Sequence, residues 1–193
     1  CCISAQAGCR YLASAVESVI RDIRLLDDIE IIRLVDANTF GNPVHARRLC
    51  KAIRDSGIRK SFLADVRSDT VVRYPEMMQN WKEIGLRSVV IGFEEINEAG
   101  LKEMNKSNSV AANIEAIAIL RQLGITIVGD FIVSPDYDHS DFDNLMTFLD
   151  KNPIDLPLFT VMTPLPGTPD YQKHYDKIVT HNLDYYTLCN AVV

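Results

Sequence analysis

Residues 29–66, IEIIRLVDANTFGNPVHARRLCKAIRDSGIRKSFLADV, carry a complete strand–helix–strand pattern. β-rich runs at residues 29–35 and 61–66 enclose an amphipathic helical stretch at residues 44–56. Gly57 follows the helical stretch, at the position where a residue with left-handed backbone is expected. Two parallel strands need a crossover connection of about a dozen residues or more, usually a helix, so this stretch predicts a βαβ unit.

The same unit recurs along the chain. Strands are predicted at residues 29–35, 61–66, 88–91, 125–133 and 158–162, and helices at residues 13–26, 44–56, 74–84, 110–123 and 141–151. Gly85 and Gly124 also stand between a helix and the next strand, and Pro43 and Pro75 stand where a first helical turn tolerates a missing N–H. Repeated βα units indicate a parallel sheet, either an open doubly wound sheet or a barrel.

The residues that follow the strands favour the barrel. Each predicted strand runs into a polar or Gly/Pro-rich cluster, at residues 36–39, 67–69, 92–95, 134–136 and 163–168. Barrel enzymes place functional groups at several strand ends, whereas a doubly wound sheet concentrates them at one switch point behind a Gly-rich turn. Neither GxGxxG nor GxxxxGK[ST] occurs. We therefore predict an α/β fold and favour a barrel of parallel strands. Because five βα units are too few for the eight-fold closed form, this is a partial barrel, a chain that lacks a piece, or both.

Composition excludes several classes of function. The 193 residues include 20 Lys and Arg against 26 Asp and Glu, a net charge of −6, which argues against a nucleic-acid partner. No apolar run approaches the roughly 20 residues of a membrane span, and no signal peptide is visible. Five cysteines, three of them in the first nine residues, do not form a disulfide framework and favour reduced thiols in the cytoplasm. Cys50 and Cys189 are predicted to be buried packing residues.

Several segments together resemble a known family. They are GCRY at residues 8–11, LVDANTFGN at 34–42, VRSD at 66–69, WKEIGL at 81–86, VIGFE at 90–94, FT at 159–160 and TPLPGT at 163–168. In this order they resemble the radical S-adenosylmethionine (SAM) enzymes, over nearly the whole chain. Within that family the chain is similar to the subgroup that carries a cobalamin-binding domain, which includes magnesium-protoporphyrin ester cyclases and hopanoid methylases.

The resemblance implies a [4Fe–4S] cluster, which the family binds through a CxxxCxxC motif. This chain lacks that motif, but measured back from residues 8–11 its third cysteine falls on Cys1, with Cys2 as a near alternative. The other interpretation is that both cysteines are small apolar residues. The resemblance therefore implies that residues 1–193 are the radical SAM core of a longer protein. Its fold would be a partial (β/α)6-type TIM barrel of parallel strands, with the first strand and the cluster loop largely missing. The remaining cluster ligands and an N-terminal cobalamin-binding domain would lie outside the chain.

The resemblance also assigns groups that hold SAM at the first two strand ends. Asp36 and Asn38 match positions where polar groups accept from the SAM amino group. Arg67 could pair with the SAM carboxylate or with an anionic substrate, because a guanidinium matches a carboxylate in shape. Two structural alternatives stay open: Asp36 could cap the next helix, and Arg67 could form an ion pair with Asp69.

Later strands supply the other expected contacts. Glu94 matches a position used for the SAM ribose or amino group, while Glu95 is a weaker candidate that is expected to be solvated. Gly129 and Phe131 would give adenine backbone and apolar contacts, with ordinary barrel packing as an equal alternative.

The loop at residues 163–168 completes the set of expected SAM contacts. Thr163 and Leu165 would present fixed backbone groups from this proline-stiffened loop, which could also be a purely structural turn.

The implied reaction is reductive cleavage of SAM to a 5′-deoxyadenosyl radical, followed by methylation or oxidative cyclisation. The implied partners are a large hydrophobic small-molecule substrate and a reductant such as flavodoxin or ferredoxin. Two rival functions use no cluster. One is a barrel lyase or isomerase that handles an anionic substrate with Asp36, Glu94 and Arg67, and the other is a non-catalytic barrel that binds a small molecule.

Overall fold

The computed structural model describes residues 12–36, 38–104 and 108–193. Its centre is a sheet of five parallel strands, β1 (Ile31–Leu34), β2 (Ser61–Asp65), β3 (Leu86–Glu94), β4 (Thr126–Val133) and β5 (Leu156–Val161). The strands lie side by side in the order β1-β2-β3-β4-β5. A doubly wound sheet reverses its strand order at a switch point, whereas a barrel adds each strand beside the previous one. The α/β, barrel-type prediction is therefore confirmed, as an open five-stranded sheet in the described part.

The α-helices in the described part of the chain are α1 (Val16–Leu25), α2 (Pro43–Asp55), α3 (Ser68–Arg73), α4 (Pro75–Glu83), α5 (Glu98–Glu103), α6 (Val110–Gln122), α7 (His139–Lys151) and α8 (Pro169–Lys173). Two short 3-10 helices follow, at Tyr175–Lys177 and Leu183–Tyr185. All five predicted helices are present as α1, α2, α4, α6 and α7, with ends shifted by at most three residues. The sequence did not predict α3, α5 and α8. Each of these has only five or six residues, too few to show a helical period.

Helix α2 shows how the sequence sets an element's limits. The Asn42 side chain accepts from the N–H groups of Val44 and His45 at 3.1 Å, so Asn42 is the N-cap. The interpretation of Asp36 as the cap of this helix is therefore wrong, because the helix starts seven residues later, at Pro43. Gly57 follows the helix with φ of 71°, as predicted. One face of the helix is buried, through Ala46, Leu49, Cys50 and Ile53.

The helices cover one face of the sheet, and the core lies between them. Trp81 of α4 is fully buried, with its ring edge-on to Phe40 at 5.3 Å and to Phe62 at 6.3 Å between centroids. On the same face Phe131 stacks between Phe93 and Phe159, with centroid distances of 5.6 and 5.8 Å. Aromatic side chains bury the largest areas, so this face supplies most of the hydrophobic stabilisation.

Two sequence predictions outside the sheet have different outcomes. Cys50 is buried, as predicted. Cys189 is exposed, so its assignment as a packed thiol is wrong. The reason is local, because Cys189 lies in a series of surface bends where its N–H is 3.4 Å from the hydroxyl of Thr187. Among the described residues, no helix combines the length and the apolar character of a membrane span.

Candidate functional site

The carboxyl ends of the parallel strands meet at one edge of the sheet, which we call the carboxyl edge. It carries the predicted SAM-binding residues Asp36, Asn38, Arg67, Glu94, Thr163 and Leu165. Backbone pairing continues past the strands, because Thr39 N–H donates to the Asp65 carbonyl at 3.0 Å and Val66 N–H to the Val90 carbonyl at 2.9 Å. The loops after β1 and β2 are therefore fixed relative to β3. Polar groups from several strand ends are gathered at one place, as in barrel enzymes.

Asn38 carries an acceptor that the fold leaves unsatisfied. Its Oδ1 is buried and has no hydrogen-bond partner among the described residues. An unpaired buried acceptor costs about 1–3 kcal/mol, so such an atom in a strand-end loop needs a reason. Its backbone N–H donates to Asp36 Oδ1 at 3.3 Å, which ties the two predicted residues together. A cationic donor such as the SAM ammonium fits this arrangement.

Glu94 has an unusual backbone at the end of β3. Its φ is 66°, and the N–H of Glu95 donates across it to the carbonyl of Phe93 at 2.8 Å. A hydrogen bond that spans a residue with positive φ is the rarer, strained kind of γ-turn. The pairing with β4 also shifts register here, since Gly92 pairs with Asp130 but Glu94 with Phe131. Bulges and strained residues of this kind concentrate at functional sites.

Arg67 forms the ion pair with Asp69 that the sequence analysis left open as a structural alternative. Its Nε and Nη2 donate to the two carboxylate oxygens of Asp69, each at 3.0 Å. The hydrogen bonds from Asp69 raise the pKa of Arg67. Burial opposes ionisation of Asp69, but the hydrogen bonds and charge of Arg67 outweigh burial and lower the pKa of that carboxyl. The pair is in place at the carboxyl edge, and contact of Arg67 with SAM or substrate stays a prediction.

Gly129 and Phe131 lie on the helix-covered face. A Cβ at Gly129 would lie 2.9 Å from Phe93 Cε2 and 3.0 Å from Ile154 Cγ2, so packing alone explains this glycine. The Phe131 side chain is buried between other aromatic rings. These contacts favour the packing alternative for both side chains, and contact with adenine through their backbone stays a prediction.

The loop after β5 is a defined turn. The carbonyl of Leu165 accepts from Thr168 N–H at 3.1 Å and from Thr168 Oγ1 at 2.6 Å. Pro166 and Gly167 occupy the centre, and φ of 84° at Gly167 fits a type II turn. Thr163 Oγ1 donates to the carbonyl of Val161 at 2.9 Å. The loop is fixed by its own hydrogen bonds, as the prolines indicated. Its contact with SAM stays a prediction.

The structure adds a buried acid–phenol pair that the sequence did not predict. Glu95 is only 5% exposed and accepts a hydrogen bond from the hydroxyl of Tyr137. The expectation that Glu95 is solvated is therefore wrong. Its N–H closes the γ-turn, and its side chain packs against Gly100, where a residue with a Cβ would leave no room for it. Because Glu94 and Glu95 are adjacent and identical, the sequence does not indicate which of the two carboxylates is buried.

A second polar network lies behind Glu94. The buried Asn113 of α6 accepts from Ser68 Oγ and from Asn108 Nδ2, both at 2.6 Å. Its Nδ2 lies 3.5 Å from the carbonyl of Phe93. The network joins the loop after β2 to the end of β3, and its buried hydrogen bonds restrain both segments. The sequence held a signal, since Asn113 is the polar member of a buried helical stripe.

Metal binding cannot be assigned within the described residues. No group of three or more His, Cys, Asp or Glu side chains among them is arranged to hold a metal ion. Cys1, the predicted cluster ligand, lies outside the described residues. The described residues therefore fit SAM, through the free acceptor of Asn38, but supply no site for the cluster.

Three comparisons with known proteins bear on identity. The hopanoid C-3 methylase of Methylococcus capsulatus is 28% identical over 186 residues, which are 96% of this chain and 36% of that protein. The anaerobic magnesium-protoporphyrin IX monomethyl ester cyclase of Synechocystis sp. is 30% identical over 114 residues, 57% of this chain and 23% of that protein. The chain thus spans about a third or less of the length of these relatives. Both protein types in the sequence-based resemblance are represented.

A solved structure shares the fold. The radical S-adenosylmethionine methyltransferase TsrM from Kitasatospora setae, solved with cobalamin and a [4Fe–4S] cluster, matches 87% of this chain and 35% of its own. The TM-score is 0.69 and the identity 16%, a likeness that supports the fold alone. The family model of the Radical SAM superfamily matches residues 1–149. With that match over most of its length, the chain belongs to the radical SAM superfamily.

Proposed function

We propose that this chain is the SAM-binding core of an enzyme that methylates or oxidatively cyclises a hydrophobic small-molecule substrate. The observation that carries the proposal is the strained backbone of Glu94 at the carboxyl edge, in a chain whose family uses a [4Fe–4S] cluster and SAM. When bound, the cluster and SAM supply the radical chemistry. The protein's part is to bind, orient and shield SAM.

The chain's own groups divide this task by their chemistry. The free acceptor of Asn38 would receive a hydrogen bond from the SAM ammonium. The carboxylate of Glu94 can accept from two ribose hydroxyls at once. Arg67, which is held in place by Asp69, has a planar guanidinium that suits the SAM carboxylate or an anionic substrate group. Each assignment uses a polar group at a different strand end.

The described helices leave the second face of the sheet open, and we call it the uncovered face. Its composition suits a hydrophobic substrate. Because side chains alternate along a strand, the partners of the buried residues point to this second face. Its apolar members are half-buried or exposed, including Val90, Val128, Ile132, Leu156 and Leu158. An uncovered apolar surface next to polar strand ends suits a substrate with a large apolar body.

The remaining parts of the proposal concern the whole protein. A cobalamin-binding domain outside this chain, with Cys1 among the cluster ligands, would complete the site. A flavodoxin or ferredoxin would supply electrons. Reduced thiols favour the cytoplasm as its compartment.

Anaerobic reconstitution of the full-length protein with iron and sulfide tests the proposal. The expected result is a broad visible absorption that a reductant bleaches, and release of methionine and 5′-deoxyadenosine from SAM. Absence of bound iron, or intact SAM under reductant, would contradict it and favour a cluster-free barrel. SAM with a deuterated methyl group separates the two outcomes, because only methylation transfers the label to a product.

A further inference from the structure

We propose that Glu95 and Tyr137 are positioning residues that hold the γ-turn at Glu94, and thereby aim the Glu94 carboxylate at SAM. The inference rests on the proposed role of Glu94 in SAM binding. The sequence did not predict this pair, which joins the loops after β3 and β4 and in which Glu95 is buried.

Glu95 is fixed at both its backbone and its side chain. Its N–H donates to the Phe93 carbonyl at 2.8 Å and so closes the turn around Glu94. Its Oε1 accepts from the N–H of Ile96 at 2.6 Å, and its Oε2 accepts from the Tyr137 hydroxyl at 2.5 Å. Both carboxylate oxygens are therefore engaged directly after the strained residue.

The surroundings leave Glu95 little freedom. A Cβ at Gly100 of α5 would lie 2.1 Å from Glu95 Cγ and 2.9 Å from its Oε2, so the helix packs closely on the side chain. With 5% exposure, the carboxylate is shielded from water. A buried carboxylate is costly without hydrogen-bond donors, and Tyr137 is the side-chain donor that reaches it.

Tyr137 is itself anchored, in the loop that follows β4. Its N–H donates to the Ser134 carbonyl at 3.1 Å, and its ring packs edge-on to Phe142 at 5.7 Å between centroids. Burial and the hydrogen bond to Glu95 raise the pKa of Tyr137, so the phenol stays protonated and remains a donor at ordinary pH. The pair therefore ties the loop after β3 to the loop after β4.

This tie explains how a glutamate keeps φ of 66°. A non-glycine residue in the left-handed region persists only where its surroundings over-determine it. At Glu94 the restraints are the Glu95 N–H bond, the buried pair and the contact of Asn113 Nδ2 with the Phe93 carbonyl. Loss of the hydrogen bond between Glu95 and Tyr137 would remove the restraint that links the turn at Glu94 to the loop after β4.

The test measures SAM affinity of the reconstituted full-length protein by isothermal titration calorimetry. Tyr137→Phe and Glu95→Ala are expected to weaken SAM binding by about tenfold, the scale of a hydrogen bond to a charged group. Glu95→Gln should stay within about twofold, because an amide can accept from Ile96 N–H and donate to the phenol oxygen. Tyr186→Phe, which removes a phenol hydrogen bond to the Thr180 carbonyl, is the matched control and should bind as wild type.

Repeating the changes in a Glu94→Ala background separates positioning from general stability. Tyr137→Phe should cause no further loss of affinity there, with iron content and far-UV circular dichroism unchanged. If Glu94→Ala weakens binding but Tyr137→Phe and Glu95→Ala do not, the positioning role is wrong and the proposed function stands. If Tyr137→Phe weakens binding equally in both backgrounds, the pair does not act through Glu94. If Glu94→Ala itself leaves affinity unchanged, Glu94 does not bind SAM and the positioning role is wrong, whereas the proposed function fails only if the wild-type protein binds no iron or leaves SAM intact.

Discussion

On the helix-covered face of the sheet, Trp81, Phe93 and Phe131 are fully buried and contact other aromatic rings. At the carboxyl edge, Asn38 keeps an unpaired buried acceptor and Glu94 a left-handed backbone. The first region is densely packed, whereas the second departs from ordinary protein structure at two strand ends, those of β1 and β3. Because unpaired acceptors and strained residues destabilise a fold, their concentration at one edge indicates that this edge is kept for binding.

The largest expected effect falls on the helix-covered face. Trp81→Ala removes a fully buried ring and the hydrogen bond from Nε1 to the Ala46 carbonyl at 3.2 Å. We expect a loss of about 3–5 kcal/mol in the free energy of unfolding, measured by urea denaturation. A loss below about 1 kcal/mol would show that this face is not the main source of stability.

A smaller effect is expected at Gly129. Gly129→Ala would place a methyl group within about 3.0 Å of Phe93 and Ile154 in a packed core, at a cost of about 1–3 kcal/mol. SAM affinity of the folded protein should be unchanged if the glycine serves packing. A variant of normal stability with weak SAM binding would favour close approach of adenine instead.

The smallest expected effect is the difference in stability between two variants at Glu94 that both lack the carboxylate. Glu94→Gly should be more stable than Glu94→Ala by about 1 kcal/mol, because alanine still pays for a left-handed backbone. This reverses the usual order of stability, because in helices and strands a protein with glycine is less stable than the same protein with alanine. Thermal unfolding of the two proteins checks it, and equal stabilities would mean that the γ-turn is not strained.

Much of the fold could be predicted from the sequence, because alternation of strands and helices is a repeated, local signal. The strand-end position of Asp36, Arg67 and Glu94 followed from the same pattern. The faces of Gly129 and Phe131 were harder, since β4 is apolar on both sides. Asp130 was the available signal: a charged residue on the uncovered face implies that its two neighbours face the helices.

The details of the site could not be predicted because they depend on distant contacts. Tyr137 lies 42 residues after Glu95, so nothing local marked that carboxylate as buried. A γ-turn centred on glutamate has no composition signal, because glutamate has no preference for the left-handed region. The free acceptor of Asn38 is visible only once its surroundings are known.

SAM affinity of Glu94→Gly is the most direct test of the claim that the carboxyl edge is reserved for binding. The measurement is calorimetric titration of the reconstituted full-length variant beside wild type. Loss of the carboxylate should weaken SAM binding by about tenfold or more, with stability preserved to within about 1 kcal/mol. Wild-type affinity in the folded variant would contradict the claim.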